Sequence, residues 1–516
     1  MNTIKLFIAV FLLSFGSLAQ AQNSITFKIT DEETGEPLIG ATVYASATMG
    51  AIADNNGLAT INNIEGESIT VKISFVGYEA IKNTYSIPYE GKMPIEIKME
   101  HHHEEVEEMV VTATRTSRSI EDIPTRIEFL GAEELQEKAV MRSANIAMLL
   151  RESTGIQMQV TSPSSANQSI RIQGLDGRYT QLMKDGFPLY GGFSGGLSIM
   201  QIPPLDLRQV EVIKGSNSTL YGGGAIAGLV NLVSIRPEEE ALTKVMVDQT
   251  SAGGTTLNAF YASAENRWSY TLFGSGHRQT AYDANDDNFS DLPETRSITL
   301  NPTIFFKPSE TDEFRLALNG TFEDRWGGNL NAVDDREPNA QNYLQENESR
   351  RMSYQLSYTK TWDENRRLTL KNSLLHFDRG IHQFQYGFDG EQVATFSEAT
   401  YSFGQARSSW LVGMNIYSDR FNESHDSNSD RSYEQFTAGV FIQQNTQLSE
   451  DWSLETGLRL DQSKDYGLQT LPRLSVMYKA HPKLTFRMGG GLGYKLPTIF
   501  TEETERLSFR AYNLST

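Results

Sequence analysis

The alternation of apolar and polar residues changes along the chain and divides it into three regions. From about residue 240 onward, period-two segments often reach ten or more residues. Shorter β-prone runs separated by turn signals fill residues 23–100, and residues 118–237 mix strand patterns with amphipathic helical patterns at 132–138 and 143–152. Period-two alternation is typical of strands with one apolar face. The pattern predicts a mainly β chain with a small β-sandwich, an α+β domain and a large antiparallel β structure.

The long alternating segments of the third region are candidate barrel strands, about a dozen in all. Those read directly lie at about 254–264, 267–277, 297–307, 312–323, 350–362, 366–377, 408–421, 436–442, 452–461 and 484–495. A soluble sandwich would alternate in the same way, so alternation alone leaves both architectures open. Short polar turns, as at 363–365, separate long polar loops near 278–296, 324–349 and 422–433. Because outer-membrane barrels show this asymmetry, we expect a transmembrane antiparallel β-barrel over residues 240–516.

The segment 209–233 combines two strand patterns with three consecutive glycines between them. Ser218 is a candidate N-cap for one helical turn that ends just before Gly222, Gly223 and Gly224. A glycine-rich phosphate cradle is one interpretation, but the spacing matches no phosphate-binding motif and no long helix follows. A tight turn is favoured, because glycine permits a positive φ and the close approach of another surface.

The first 21 residues have the three parts of a secretory signal peptide. Lys5 supplies the positive charge, LFIAVFLLSF supplies the apolar core, and Ala19-Gln20-Ala21 supplies the small-x-small cleavage site. The apolar run is too short for a membrane span, and no later segment has the unbroken apolar length of a membrane helix. The sequence therefore predicts an exported protein from which residues 1–21 are removed.

Composition narrows the class further. The 516 residues include no cysteine, which excludes disulfides, thiolate metal sites and a lipid-modified N-terminal cysteine. A formal net charge of −20 argues against nucleic acid as a partner. We find no Ser/His/Asp or paired-carboxylate constellation that would indicate an enzyme, and we expect no cofactor.

A polar linker at 101–117 follows the predicted sandwich. His101, His102 and His103, with the acidic residues after them, are candidate ligands for Zn²⁺, Cu²⁺ or Ni²⁺. Adjacent residues do not easily close on one ion, so a solvated linker is favoured. The β-prone run 109–113 then stands alone in polar surroundings. Such a run can add as a strand to the sheet edge of another protein.

Three stretches resemble parts of TonB-dependent outer-membrane receptors. GEPLIGATV…DNNGLATI…VKISFVGYE resembles the carboxypeptidase-regulatory-like domain that often precedes such transporters. IRIQGLDGRYTQLMKDGFPLYGG, followed by VEVIKGSNSTLYGGGAIAGLVNLVS, resembles their plug domain and covers most of 118–237. EEMVVTATR resembles the TonB box, which assigns TonB binding to Glu108, Met109, Val110, Val111, Thr112 and Ala113.

The resemblance has two departures and one consequence for the length of the chain. The family often has Arg where this chain has Gln173 and Lys214, so we assign no plug-to-barrel arginine lock to these positions. Family barrels have 22 strands, and only about half of that number is expected here. GYKLPTIFTEE resembles a mid-barrel strand and loop. The resemblance thus implies a sequence that is incomplete at its C-terminus.

The resemblance also implies a function, which is energy-coupled uptake across a Gram-negative outer membrane. External loops and the plug apex would bind a scarce, large ligand. Candidate contacts, whose alternative role is ordinary loop packing, are Arg178, Tyr179, Tyr190 and Phe193. TonB, driven by the inner-membrane ExbB/ExbD complex, would pair with the box as an added strand and pull. The remaining implied partner is the lipid of the outer membrane.

The sequence at the C-terminal end of the predicted plug indicates the class of ligand. STLYGGGAIAGLVNLV is closer to the siderophore and cobalamin branch than to the polysaccharide-importing SusC-like branch. We therefore expect a ferric siderophore, a corrinoid or another metal chelate. An oligosaccharide importer and a surface-binding protein without transport remain the alternatives.

Overall fold

The structure is a computed structural model that describes most of residues 24–509. The residues left out of this range are 33, 47–48, 65, 76–77, 79, 101–111, 113–114, 116–122, 142, 152, 163, 196, 198, 406, 425–430 and 482. The predicted signal peptide, the three linker histidines and all of the box except Thr112 lie outside the described residues. The chain divides into two compact units at residues 109 and 110. Among the described helices, none has the length and apolar character needed to cross a membrane.

The first unit is a small β-sandwich. Its described strands are β1 (Ile25–Asp31), β2 (Thr42–Ser46), β3 (Met49–Ile52), β4 (Leu58–Ile61), β5 (Ser68–Ser74), β6 (Ile81–Ser86) and β7 (Ile95–Met99). The sheet β4-β1-β7 and the sheet β3-β2-β5-β6 enclose one apolar core. Alternate residues such as Phe27 and Ile29, or Val71 and Ile73, are fully buried. The period-two pattern of the sequence therefore places its apolar rows between the two sheets.

The second unit begins with the plug region, which mixes strands and short helices. Its strands are β8 (Ile127–Leu130), β9 (Ile156–Ser162), β10 (Asn167–Ile172), β11 (Thr180–Lys184), β12 (Phe187–Tyr190), β13 (Leu207–Lys214) and β14 (Gly228–Ser234). Its α-helices are α1 (Ala132–Met141), α2 (Ala147–Arg151) and α3 (Ser218–Tyr221). The five-stranded sheet β12-β11-β14-β13-β8 carries the main core, and β9 pairs with β10.

The helical turn that the sequence predicts before the glycines is present as α3, but its capping differs from the prediction. Asn217 occupies the N-cap position and makes no side-chain capping hydrogen bond. Ser218 is the first helical residue, and its hydroxyl donates to the carbonyl oxygen of Leu492. The hydroxyl thus ties the plug region to the segment that follows the barrel strands.

The rest of the second unit is one antiparallel sheet, the barrel sheet. Its strands in the described residues are β15 (Leu242–Gln249), β16 (Gly254–Glu265), β17 (Trp268–Gln279), β18 (Glu294–Phe306), β19 (Asp312–Gly328), β20 (Leu344–Asp363), β21 (Arg366–Gln383), β22 (Tyr386–Gln405), β23 (Ser408–Glu423), β24 (Tyr433–Gln447), β25 (Trp452–Ser463), β26 (Gly467–His481) and β27 (Leu484–Gly491). Each pairs with its neighbours in chain order. Two short helices, α4 (Leu330–Asp335) and α5 (Glu502–Arg506), lie outside the sheet.

The barrel sheet exposes its apolar row and buries its polar row. On β25, Leu458 is 41% exposed, whereas Glu455, Arg459 and Asp461 are at most 3% exposed. A soluble sandwich would bury the leucine, because removal of apolar surface from water drives its folding. This reversal matches a transmembrane barrel, whose lipid face is apolar and whose interior is polar.

Three strands of the barrel sheet were not predicted, and several bounds differ from prediction. The unpredicted strands are β15, β22 and β26, and β27 ends at Gly491 rather than near 495. The long loops are shorter than expected, since β19 continues to Gly328 and β20 begins at Leu344. Strand pairing therefore extends into stretches whose polarity suggested loops.

Candidate functional site

A cavity of about 520 Å³ lies between the plug region and the inner face of the barrel sheet. The plug region contributes the 3-10 turn Gly177–Tyr179 and the glycines of the 3-10 turn Gly222–Gly224. The inward-facing rows of β21 to β25 form the opposite wall, which is polar on β23 to β25 and partly apolar on β21 and β22. Lining side chains of the wall and of the segment after β27 include Asn415, Tyr417, Asp419, Gln435, Arg459, Asp461, Tyr494, Lys495 and Glu502. A concave site with both polar and apolar side chains of this kind can contact part of a larger ligand.

The charges of the cavity nearly balance. Its described lining contains five carboxylates, from Asp176, Asp419, Asp461, Glu502 and Glu505, and three basic groups, from Arg178, Arg459 and Lys495. Arg171 contacts Glu502, and Arg379 Nη2 lies 2.5 Å from Glu505 Oε1, so two further arginines offset the remaining acids. The hydrogen bond to Glu502 raises the pKa of Arg171. The cavity therefore has no strong excess of either sign.

Arg459 borders this cavity and keeps buried nitrogen atoms that make no hydrogen bond in the described part of the chain. Its Nε lies 2.6 Å from Asp461 Oδ1, and its Nη2 donates to Asn415 Oδ1 at 2.7 Å. Within the described part of the chain, its buried Nη1 has no hydrogen-bond partner. An unsatisfied buried donor is costly, so a movement of the Arg459 side chain that brought Nη1 to an acceptor would be favourable.

The predicted ligand contacts lie in different environments. Arg178 and Tyr179 line the cavity, where the guanidinium lies 4.8 Å from the ring centre of Tyr179. Tyr190 ends β12, and its side chain lies outside the described part of the structure. Phe193 also borders the cavity but is only 1% exposed. These residues remain predictions as ligand contacts.

Phe193 is the centre of an aromatic cluster rather than a free apex residue. Its ring lies 4.9–6.5 Å from the ring centres of Phe377, Phe388, Phe421, Phe500 and Phe509. Such tilted and edge-on pairs stabilise packing beyond their buried area. The cluster therefore anchors a loop of the plug region to the barrel wall.

Thr112, the described residue of the predicted box, is held by a buried carboxylate of the plug sheet. Its N–H donates to Glu211 Oε1 at 2.8 Å, and its hydroxyl donates to the same oxygen at 3.0 Å. Asn231 Nδ2 donates to the Thr112 hydroxyl at 3.0 Å. Glu211 and Asn231 are register partners on β13 and β14 and are fully buried. Thr112 thus contacts strands β13 and β14 of the five-stranded plug sheet directly.

Arg115 joins this segment to the barrel wall. Its Nη2 lies 2.6 Å from Glu398 Oε2 on β22, and both side chains are almost completely buried. Its guanidinium lies 4.5 Å from the ring centre of Tyr221 and 5.2 Å from that of Phe441. Burial raises the pKa of the Tyr221 hydroxyl, so this group stays neutral. Tyr221 directly precedes the glycines that line the cavity.

The three glycines bring the plug region close to its surroundings. Gly222 has φ +71°, and a Cβ there would lie 3.3 Å from Arg459 Nη2. A Cβ on Gly223 would lie 2.9 Å from the carbonyl oxygen of Tyr494. Gly224 differs, because its Cβ would meet the side chain of Gln181 within the plug region itself. Two of the three glycines therefore allow close approach to the wall and the segment after it.

Three further arginines that join plug and wall lie on the wall, and they were not identified from the sequence. Arg315 Nη2 lies 2.5 Å from Asp185 Oδ2, Arg351 Nη2 donates to the Ser194 carbonyl, and Arg473 Nη2 donates to Thr125 Oγ1. Gln173 and Lys214 take no such role, and Lys214 pairs with Glu128 of the plug region. The inward polar rows were the available signal, but their plug partners are far away in sequence.

Two bacterial proteins are similar to this chain at low sequence identity. The vitamin B12 transporter BtuB of Photobacterium profundum is 22% identical over 413 residues, which cover 76% of this chain and 62% of the relative. An iron-regulated outer membrane virulence protein of Vibrio cholerae is also 22% identical and is covered to 60%. The chain therefore spans about three fifths of the length of these relatives.

Solved structures share the fold. The siderophore receptor PirA from Acinetobacter baumannii has a TM-score of 0.60 at 19% identity, with 73% of this chain and 62% of that chain covered. The unliganded ferric citrate transporter FecA has a TM-score of 0.56 at 16% identity, with 73% and 64% covered.

Three family models match the chain in succession. A carboxypeptidase-regulatory-like domain matches residues 25–111, and the TonB-dependent receptor plug domain matches residues 119–229. The TonB-dependent receptor-like β-barrel matches residues 247–504, which is half of the 516 residues. The chain belongs to the family of TonB-dependent receptors.

Proposed function

We propose that this protein takes up a scarce, large ligand across the Gram-negative outer membrane by a TonB-dependent mechanism. The supporting observation is the continuous path from the cavity to the box. Arg459 and Tyr494 border Gly222 and Gly223, Tyr221 precedes these glycines, and Arg115 contacts Tyr221 three residues after Thr112. A ligand that moves one end of this path can change the other.

The ligand is a ferric siderophore, a corrinoid or another metal chelate. The names of the relatives support these classes, since they include a vitamin B12 transporter and a siderophore receptor. The charges of the described cavity lining, together with Arg171 and Arg379 beside it, nearly balance and favour a ligand of low net charge over a strongly anionic one. Arg459 would bind an acceptor atom of that ligand through Nη1 once its side chain moved toward the cavity. No bond of the ligand is broken during transport.

Coupling to energy would use the box as a strand for TonB. Thr112 would leave Glu211 and Asn231, and residues 108–113 would pair with a sheet edge of TonB. Pulling by TonB, driven through ExbB/ExbD, would then rearrange the plug region. Gly222 and Gly223 of the plug region lie close to the wall but have no side chains that would interdigitate with it. Such contacts suit a plug that moves.

Deletion of residues 108–113 tests the proposal. Cells that express the deletion variant should keep surface binding of radiolabelled cyanocobalamin or of a neutral ferric hydroxamate chelate but lose accumulation of the label. A surface-binding protein without transport predicts binding and no accumulation for the unmodified protein as well. Accumulation that survives the deletion would contradict TonB coupling. Recovery of the protein with the outer-membrane fraction checks its location and its contact with lipid.

The SusC-like alternative has one feature in its favour, because that branch shares the carboxypeptidase-regulatory-like domain matched at residues 25–111. An oligosaccharide importer would accumulate labelled glycan in a manner that depends on residues 108–113, and it would leave cobalamin and ferric chelates outside. This outcome would replace the chelate assignment while keeping the transport mechanism.

A further inference from the structure

Histidine and carboxylate side chains gather on the outward face of the hairpin formed by β21 and β22. His376 and Asp378 lie on β21, and Glu391 lies on β22 directly opposite Asp378 in the register. The residues that alternate with them along β21, Phe377 and Arg379, are buried on the inner face. The cluster is therefore on the side of the wall opposite the cavity, where ligand uptake makes no use of it.

The cluster brings three potential ligands of one metal ion close enough for small side-chain movements to close on it. One ligand atom from each of His376, Asp378 and Glu391 lies within 4.8 Å of the other two. His376 Nε2 lies 2.9 Å from Glu391 Oε1, and Nδ1 lies 3.4 Å from Asp378 Oδ2. The three side chains are 33–44% exposed, so an ion from solution can reach them. Their positions are fixed by two long paired strands.

The position of the cluster along β21 is consistent with contact with water. The outward row of this strand is apolar at Leu368, Leu370 and Leu374, and it changes to His376 and Asp378 beyond them. The cluster lies toward the two-residue turn at 384–385, the end of the barrel sheet that also carries the loops at 280–293 and 329–343. A metal ion there would keep part of its water shell.

A second histidine–carboxylate pair lies next to the triad on the same face. His382 Nε2 is 3.0 Å from Asp389 Oδ1. Gly380 separates this pair from Asp378, and a Cβ there would lie 2.6 Å from Asp389 Oδ1 and 2.9 Å from His382 Cε1. The glycine thus leaves space for a dense row of potential ligands.

We propose that His376, Asp378 and Glu391 bind a divalent first-row transition ion of the Zn²⁺ class on the outer wall of the barrel. One imidazole nitrogen and two carboxylate oxygens form a mixed donor set that suits such ions. Three protein ligands leave at least one coordination position for water or for an exogenous anion. The ion would replace the two contacts that His376 now makes with the carboxylates.

Titration of Zn²⁺ into the detergent-solubilised protein tests the proposal. The protein is first treated with a chelator and carries His101→Ala, His102→Ala and His103→Ala, which removes the competing candidate ligands of the linker. Isothermal calorimetry should show one saturable equivalent of Zn²⁺. His376→Ala, and separately Asp378→Asn or Glu391→Gln, should weaken binding at least about tenfold, the smallest loss usual for residues around a metal site. Co²⁺ should give a visible absorption band that Zn²⁺ removes.

His481→Ala is the matched control, because His481 is an exposed histidine at the end of β26 and far from the triad in the strand order. It should bind Zn²⁺ like the parent protein. Circular dichroism of each variant checks that the barrel is intact, and the near-isosteric Asp378→Asn and Glu391→Gln keep the test valid if His376→Ala fails to fold. Absence of saturable binding, or equal affinity in the triad variants and the control, would overturn the proposal.

Discussion

At the scale of single residues, the pair of Asp185 and Arg315 makes a testable contribution to the docking of the plug. Burial opposes ionisation of Asp185, but Arg315, Lys184 and two hydrogen bonds from Ser234 hold the pKa of its carboxyl below the usual value. A carboxyl with a lowered folded-state pKa stabilises the fold fully above its unfolded pKa, near 3.9, and loses this contribution as the pH falls through the folded value.

Asp185→Asn should therefore destabilise the docked plug at pH 7, by about 3–5 kcal/mol, because Arg315 would keep a buried charge without its partner. The difference from the parent should shrink below about pH 4, as the parent carboxyl takes up a proton. To measure the difference, parent and variant are equilibrated in urea at each pH. A short hydrogen-exchange pulse at one fixed pH then reports the urea midpoint at which residues 180–190 lose protection. A constant difference between pH 7 and pH 3 would contradict the assignment.

At the scale of elements, two neighbouring glycines of the turn after α3 make different contacts. Gly223 packs against the segment after the barrel strands, whereas Gly224 packs within the plug region. Gly223→Ala should cost about 1–3 kcal/mol, since its Cβ would meet a backbone oxygen of Tyr494, whose hydroxyl is fixed on Asp461 at 2.8 Å. Gly224→Ala is the matched control, because the flexible end of Gln181 can move away. Protease protection of the plug in urea measures the loss of stability in each variant. Equal losses in the two variants would contradict the close packing of Gly223 against Tyr494.

The strand pattern was predictable wherever one row of a strand was apolar along most of its length. β25 meets this condition, because its apolar residues alternate with Glu455, Arg459 and Asp461, which are buried on the inner face. β22 does not, because Asp389 and Glu391 on its outward row lie beyond the apolar band, while Phe388 and Phe396 face inward. Alternation of apolar and polar residues disappears beyond the apolar band of a strand, although its backbone pairing continues.

At the scale of the whole molecule, the candidate site was only partly predictable. Arg178 and Tyr179 follow from the resemblance of the plug, and both border the cavity. Arg459 joins them across about 280 residues of sequence, and Glu398 joins Arg115 in the same way. Such long-range contacts depend on the register of the barrel sheet and on the position of the plug against it. Local sequence patterns specify neither.

The ion pair of Arg115 and Glu398 should keep the box on the plug until a ligand binds. Glu398→Gln should release residues 108–113 without ligand, because Arg115 would lose its buried counter-charge while Thr112 kept only Glu211 and Asn231. A loss of about 1.4 kcal/mol would already raise the released population tenfold. The chain has no cysteine, so Val110→Cys provides a single site for a spin label whose mobility reports release.

Glu348→Gln, on the exposed face of β20, is the control and should leave the label immobile. The double variant Arg115→Ala with Glu398→Gln should resemble Glu398→Gln alone, because the two residues would act through one contact and their effects would not add. If the label stayed immobile in Glu398→Gln, Thr112 on Glu211 would be sufficient to hold the box. The link between cavity and box would then have to run through the plug sheet alone.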